Sequence, residues 1–333
     1  MRAAGRNLVA WSTASRYVAV LTLLIGITAF FAIAEGGKFG SRANIENLLA
    51  SVSILWVVSM GMTFVVLTGG IDLSVGAMVA LSGLVLAKLF AGLGIPALLA
   101  IVLTLLAGAL IGGAVNGMLI GRAGLSFFVV TLGTASLFQG LVNIWSQTKT
   151  TYIDSSLVDA IGFGSAFGVD TPIWIMLGVF LVAFALLRWT YFGRDVYAVG
   201  GNVDAARLSG IDVTRTLVAV YALVGLCAAV GGVIQAGRLG ASSPIVGAEI
   251  PLSAAAAVLL GGTSFVGGIG GVTGTAVGVL FIGTLQNGLA IRGVSSFWQQ
   301  VVTGVILIFA VAIDRLQQSP AGLRIRRSRE KAG

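Results

Sequence analysis

The residues that first suggest chemistry are a carboxylic acid, Asp72, and a hydroxyl, Ser74. They follow a pair of glycines in an apolar run, and residues 68–76 read Thr-Gly-Gly-Ile-Asp-Leu-Ser-Val-Gly. An ionisable side chain between two apolar runs is expensive in a membrane and is usually functional. Asp72 or Ser74 could also cap a helix that begins near Val75, because their oxygens would accept free N–H groups of its first turn. A broken helix that lines a cavity would satisfy both interpretations. The candidates of this group are Thr68, Gly69, Gly70, Asp72 and Ser74.

A second run, residues 200–211, predicts one short helix that is capped at both ends. It reads Gly-Gly-Asn-Val-Asp-Ala-Ala-Arg-Leu-Ser-Gly-Ile. Asn202 is a favourable N-cap, and Gly210 suits the left-handed residue that ends a helix. A helix of about two turns is not stable alone in water, so it needs a surface to pack against. That surface is either the protein's own membrane domain or a groove on a separate cytoplasmic protein.

A third run, residues 257–268, repeats in outline the Val-Val-Leu-Thr-Gly-Gly of residues 65–70. It reads Ala-Val-Leu-Leu-Gly-Gly-Thr-Ser-Phe-Val-Gly-Gly. With one gap, the match suggests the internal duplication found in transporters. The signal is weak because Gly, Val and Leu are abundant throughout the chain. The polar residues of this run either line a path or cap a helix.

Several kinds of chemistry are excluded by residues that the sequence lacks. The chain has no His, so it has neither a His proton relay nor a His metal ligand, and Cys227 is its single cysteine. Gly37-Lys38 is followed by Phe39 rather than Ser or Thr, so the chain contains no phosphate-binding loop. No cluster of nucleophile, base and metal ligand suggests an enzyme. We therefore expect no ATP hydrolysis, no cofactor and no metal in this chain.

The elements that must position these groups follow from the composition. Of the 333 residues, 57 % are hydrophobic and 10 % are charged, which excludes a soluble enzyme, a disordered chain and an ordinary nucleic-acid binder. A membrane span needs ~20 apolar residues, and the charge-free runs predict a single all-α transmembrane domain over residues 1–333 with about ten spans, one helix being broken near residues 69–72. The predicted spans are 17–34, 47–68, 73–91, 96–120, 125–145, 171–189, 215–236, 250–266, 270–290 and 296–314, with a loop at 190–214.

The basic residues predict the orientation of these spans, because Lys and Arg concentrate in cytoplasmic segments. The clusters are Arg2, Arg6 and Arg16 in the N-terminal tail; Arg188, Arg194, Arg207 and Arg215 around the central loop; and Arg315, Arg324, Arg326, Arg327, Arg329 and Lys331 in the C-terminal tail. Six predicted spans precede the central loop and four follow it, so all three clusters fall on one side. We expect both termini and the central loop to be cytoplasmic.

The three runs together resemble the ribose-type permease family of bacterial ABC sugar importers. The resemblance extends from about residue 44 to 316 and is carried by the order and spacing of residues 67–76, 200–211 and 258–264, and of Gly293-Val294-Ser295-Ser296 with Gln299. It implies a multi-pass subunit of the bacterial inner membrane that pairs with a second permease subunit, identical or related. It further implies a cytoplasmic ABC ATPase, which binds ATP and Mg, and a periplasmic sugar-binding protein.

The resemblance also implies roles for particular residues. The short central helix would be the coupling helix that contacts the ATPase, through Asn202, Asp204, Ala205, Ala206, Arg207, Leu208, Ser209 and Gly210. A sugar path should offer hydroxyl, amide and aromatic groups rather than charge. The candidates are Asn116, Gln139, Asn143, Trp145, Gln286 and Asn287. Each of them could instead form an interhelical hydrogen bond.

Two other classes of transport protein compete with an ATP-driven importer. An ion-coupled secondary transporter would need its own coupling residues, and within the spans only Asp72 and Lys88 are charged candidates. A passive channel would not need the capped cytoplasmic helix. Loss of ATP-driven transport on substitution of Arg207, with membrane insertion intact, would favour the importer.

Overall fold

The structure is a computed structural model that describes the backbone of residues 2–318. Its α-helices are α1 (Arg2–Glu35), α2 (Arg42–Leu67), α3 (Val75–Ala87), α4 (Ala97–Ile111), α5 (Met118–Gly121), α6 (Phe127–Ser146), α7 (Ser156–Phe163), α8 (Thr171–Trp189), α9 (Tyr191–Gly201), α10 (Val203–Leu208), α11 (Val213–Leu239), α12 (Ile250–Leu260), α13 (Val272–Ile291) and α14 (Ser296–Gln318). The π-helical segment Lys88–Gly92 extends α3, and a second, Gly112–Gly117, joins α4 to α5.

The prediction of an all-α integral membrane protein is confirmed. Among the described residues, 8 helical segments are long and apolar enough to cross a membrane. Two shorter apolar segments, Ile250–Leu260 and Ser296–Ala312, add to them. The strands are two residues long: β1 (Thr151–Tyr152) pairs antiparallel with β4 (Ala241–Ser242), and β2 (Ser165–Ala166) pairs with β3 (Val169–Asp170).

The core forms around α11, which packs against α2, α3 and the α4–α5 segment. Close approach between α11 and the α4–α5 segment depends on glycine, since a Cβ on Gly112 would overlap the carbonyl oxygen of Tyr221. At one end of α11 lies α10, and at the other end lie β4 and β1. We call these the α10 end and the β1–β4 end of the molecule.

Helix α1 lies at the edge of the bundle and packs against α13. The buried ring of Phe31 covers Gly288, whose missing side chain leaves the room for it. The Glu35 carboxylate pairs with the Arg292 guanidinium at 2.6 Å. The Phe31 ring and this ion pair are therefore among the contacts that hold α1 against α13.

The segment predicted as a span over residues 250–266 is only partly helical. Helix α12 has 11 residues, which at ~1.5 Å each covers about half of a ~30 Å bilayer core. Residues 243–249, which precede it, are not helical, and their backbone approaches α3 closely, since a Cβ on Gly76 would overlap the carbonyl oxygen of Gly247. This stretch therefore consists of a non-helical segment followed by a short helix.

Two further interruptions lie towards the α10 end. The first break, residues 68–74, separates α2 from α3, and the second break, residues 261–271, separates α12 from α13. The region predicted as a loop over 190–214 contains two helices, α9 and α10, because the apolar side chains of Val196 and Val199 bury one face of α9.

Candidate functional site

A buried polar cluster joins Asp72 and Ser74 of the first break to Asn116 of the α4–α5 segment, and the three are 2 %, 1 % and 1 % exposed. Asp72 Oδ1 accepts the backbone N–H of Ser74 at 2.8 Å and its hydroxyl at 2.6 Å. Asn116 Nδ2 donates to Ser74 Oγ at 2.8 Å and to Asp72 Oδ2 at 3.4 Å. The cluster closes the turn just before α3, but neither Asp72 nor Ser74 accepts an N–H of the first turn of the helix, so the predicted side-chain cap is absent. A carboxylate at this place also complements the positive end of the helix dipole.

Asn116 gives this cluster one unusual feature. It lies in the π-helical segment Gly112–Gly117, a local conformation often found at functional sites. Its Oδ1 atom is buried and has no hydrogen-bond partner among the described residues. The cluster therefore keeps one free acceptor inside the bundle, while the carboxylate beside it serves the local turn.

The remaining candidates of the first break shape its backbone. Thr68 ends α2, and its hydroxyl donates to the Val65 carbonyl at 2.8 Å. Gly69 has φ +79°, which favours glycine. A Cβ on Gly70 would lie 3.2 Å from the hydroxyl of Tyr221, so the turn passes close to α11.

Gln139, Asn143 and Trp145 lie on α6, away from the Asp72 cluster. Gln139 Nε2 donates to the carbonyl of Pro244 at 2.8 Å and to Asn143 Oδ1 at 3.2 Å. Asn143 and Trp145 are exposed, and added Cβ atoms on Gly133 and Gly140 of the same helix would meet no atom within 4 Å. This face of α6 thus carries amides beside the non-helical residues 243–249 and small residues with open space above them.

The two candidates on α13 lie in a third place. Asn287 and Asn44 exchange hydrogen bonds between their amides, at 3.0 and 3.1 Å, and so join α13 to α2. Gln286 is half-buried beside this pair. The candidates for a path are therefore divided among the first break, α6 and α13, and the described residues do not bring them into one pocket.

Helix α10 stands at one end of the molecule with most of its side chains in solvent. Asn202 Oδ1 accepts the Ala205 N–H at 2.9 Å, and Ser209 Oγ donates to the Ala205 carbonyl at 2.8 Å. Gly210 ends the turn with φ +83°. Ala206 is buried in a small cluster with Val199 and Val213. These contacts hold α10 on α9 and α11 by one face.

The opposite face of α10 is exposed. Leu208 is 91 % exposed, although leucine favours burial. Asp204 and Arg207 are also exposed, and their closest charged atoms are 4.0 Å apart. This face of α10 therefore presents one apolar side chain and two charges to solvent.

Sequence reasoning missed α9 and its contacts with the second break. Phe192 of α9 stacks on Phe64 of α2 with ring centroids 5.9 Å apart, and the Tyr197 hydroxyl donates to the Gly270 carbonyl at 2.8 Å. The apolar spacing of Phe192, Val196 and Val199 is helical and could have revealed α9. On its other side, the second break is held by Asp314 of α14, whose Oδ2 accepts the Phe265 N–H at 3.1 Å.

Interrupted helices and a buried polar cluster inside a bundle of apolar helices are features of membrane transport proteins. The family described as branched-chain amino acid transport system / permease component matches residues 44–311. The chain belongs to this family and, within it, to the ribose-type permeases of ABC sugar importers. The resemblance predicted from the sequence motifs is thereby confirmed.

The curated relatives cover most of the chain. It is 39 % identical over 313 residues to the ribose import permease protein RbsC of Escherichia coli K12, covering 93 % of this chain and 96 % of that protein. It is 44 % identical over 287 residues to RbsC of Bacillus subtilis 168, covering 84 % and 86 %. It is 39 % identical over 299 residues to the D-allose transport system permease protein AlsC of Escherichia coli K12, covering 88 % and 90 %. No solved structure matches the chain.

Proposed function

We propose that this chain is the membrane-spanning subunit of an ATP-driven importer of a monosaccharide or a related small polar solute. The observation that carries the proposal is its identity of 39 % or more, over most of its length, to permeases named for ribose and D-allose. A permease named for xylose is 34 % identical over 356 aligned positions. Pentoses and hexoses are therefore the first substrates to test.

In this proposal, α10 is the coupling helix and docks on a cytoplasmic ABC ATPase that binds ATP and Mg²⁺. Support comes from the exposed Leu208 and from the charges of Asp204 and Arg207 beside it. An apolar side chain that inserts into a groove, with charges at the rim, is the common form of a protein–protein contact.

The proposed orientation in the bacterial inner membrane follows from the basic residues at the α10 end. The α10 end carries the described basic residues of the central cluster and Arg315, and basic residues concentrate on the cytoplasmic side. The other basic residues of the C-terminal cluster lie outside the described residues. The β1–β4 end then faces the periplasm, where a sugar-binding protein would deliver the solute.

The solute would pass between two permease subunits, one wall being the exposed face of α6. Gln139 and Asn143 offer amide groups that donate to and accept from sugar hydroxyls. Gly133 and Gly140 leave room for a helix of the second subunit or for the solute itself. ATP binding would close the ATPase pair, move α10 and change the side to which this path opens, because the solute and ATP each favour one of the two states.

The first experiment is to purify the chain from its native membrane in mild detergent and to identify the proteins that accompany it. We expect an ABC ATPase, and uptake of labelled ribose, allose or xylose that stops on ATP depletion. Repeated purification without an ATPase, together with uptake that follows an ion gradient after ATP depletion, would replace the proposal with a secondary transporter.

Substitution of Leu208 then tests the docking surface. We expect Leu208→Glu to weaken ATPase binding by roughly thirtyfold, which corresponds to about 2 kcal/mol at a hot-spot residue. Leu239→Glu, at an exposed leucine of the β1–β4 end, is the matched control and should retain the ATPase. Equal ATPase retention by both variants would exclude α10 as the docking helix.

A further inference from the structure

The first break, the second break and the end of α9 meet backbone to backbone at the α10 end. The Gly268 N–H donates to the Leu67 carbonyl at 2.8 Å, a hydrogen bond that joins the second break to the end of α2. Gly200 of α9 lies against this bond. We call the meeting point of Gly69, Gly200, Gly267 and Gly268 the glycine junction.

No side chain fits inside the glycine junction. A Cβ on Gly200 would overlap the Leu67 carbonyl oxygen and lie 2.7 Å from the Gly268 nitrogen. A Cβ on Gly267 would lie 2.8 Å from both the Gly200 carbonyl oxygen and the Gly69 nitrogen. Gly69, Gly267 and Gly268 also have positive φ values of 79°, 94° and 71°. Both the space and the backbone conformation therefore require glycine here.

Helix α9 connects the glycine junction directly to α10. Asn202 ends α9 and is also the N-cap of α10, so the two helices share one residue. Along its length, α9 is fixed to α2 through Phe192 and Phe64, and to the second break through the hydrogen bond from Tyr197 to Gly270. A displacement of α10 therefore displaces the glycine end of α9.

We propose that the glycine junction is the mechanical link that passes displacement of α10 to both broken crossings at once. The inference rests on the proposed function, in which α10 contacts the ATPase. Packed side chains can absorb a small shift by changing rotamer, whereas backbones in direct contact cannot. A movement of α9 consequently shifts the end of α2 and the second break together, and α3 and α13 begin just beyond them.

Two neighbouring glycines provide a matched test. Gly200→Ala places a methyl group inside the junction, whereas a Cβ on Gly201 meets no atom within 4 Å, so Gly201→Ala is the control. In the purified complex we expect Gly200→Ala to retain the ATPase and its basal ATP hydrolysis and to reduce uptake roughly two- to thirtyfold, the range for residues on a coupling route. Gly201→Ala should transport like the unmodified protein. Equal uptake by both variants would overturn the proposal.

A second measurement applies even if Gly200→Ala does not assemble. Gly201→Cys introduces an exposed thiol beside the junction, while Cys227 is buried. We expect its labelling rate to differ at least about twofold between the nucleotide-free and ATP-trapped complexes, and equal rates would overturn the proposal.

If the unmodified chain purifies without an ATPase, the proposed function fails. If that complex transports on ATP but the junction variants behave as controls, only the junction inference fails.

Discussion

The two breaks perform the same task, ending one helix and starting another inside the bundle, but they are stabilised differently. The first break is short, and a carboxylate within it, Asp72, binds the residue two positions later. The second break is longer, and four of its glycines, Gly262, Gly267, Gly268 and Gly270, have positive φ. Its carboxylate, Asp314, belongs to α14 and lies 49 residues after Phe265, whose N–H it accepts.

This difference indicates which break can stand alone. A turn that is closed by its own side chain keeps its conformation when neighbouring helices move. A turn that depends on Asp314, Tyr197 and the glycine junction changes when any of these partners moves. We therefore expect the first break to be the stiffer of the two and to shift as a unit when the glycine junction moves, whereas the second break changes its conformation.

The largest expected effect is at Asp72. Asp72→Ala leaves the N–H and hydroxyl of Ser74 without their buried acceptor and should lower the free energy of unfolding by about 2–3 kcal/mol. Thermal unfolding in detergent, followed by tryptophan fluorescence, measures this loss. Asp72→Asn retains an acceptor and should recover most of the stability. If that variant is stable yet does not transport, Asp72 acts in the path as well as in the turn, whereas full stability of Asp72→Ala would contradict its role in closing the turn.

The matching substitution in the second break is Asp314→Ala, and its effect should be smaller. Its Oδ2 atom accepts longer hydrogen bonds, 3.1 Å from Phe265 and 3.3 Å from Ser264. We expect a loss of about 1–2 kcal/mol in the same unfolding assay. Asp314→Asn is the control and should lose less. A loss larger than that of Asp72→Ala would reverse the proposed order of the two breaks.

Thr263 offers a finer test within the second break. Its Oγ1 accepts the Gly271 N–H at 3.2 Å, just before α13 begins. Thr263→Val removes the acceptor and should cost about 1 kcal/mol, as for a lost N-cap. Thr263→Ser keeps the hydroxyl and should unfold at nearly the original temperature. Identical unfolding of the two variants would show that this bond does not stabilise the break.

The smallest effect is expected at Thr68 in the first break. Its hydroxyl donates to the Val65 carbonyl within the last turn of α2, a carbonyl that also accepts the backbone N–H groups of Thr68 and Gly70. Thr68→Val should therefore change the unfolding free energy by about 0.5 kcal/mol or less. A loss comparable to that of Asp72→Ala would mean that the first break is not closed by Asp72 alone.

The sequence predicts the all-α membrane fold because long apolar runs carry that information locally. Asp72 or Ser74 was predicted to cap α3, but Asp72 accepts the N–H of Ser74, just before the helix, rather than an N–H of its first turn. Asp314, Tyr197 and the glycine junction were not foreseen, because each depends on segments brought together only by packing. The stretch 250–266 is as apolar as a span, so its composition does not reveal that the helix ends at Leu260.

Arg292, which pairs with Glu35 of α1, is synthesised long after that helix, and this delay affects how the protein assembles. Glu35 and its ion-pair partner Arg292 are 257 residues apart. At roughly 5–20 residues per second of synthesis, α1 waits roughly 13–50 s before α13 leaves the ribosome. During that time α1 remains in lipid without its final neighbour, which its apolar surface permits. Assembly of this edge of the bundle is therefore timed by translation, and slow codons between the two helices would lengthen the wait.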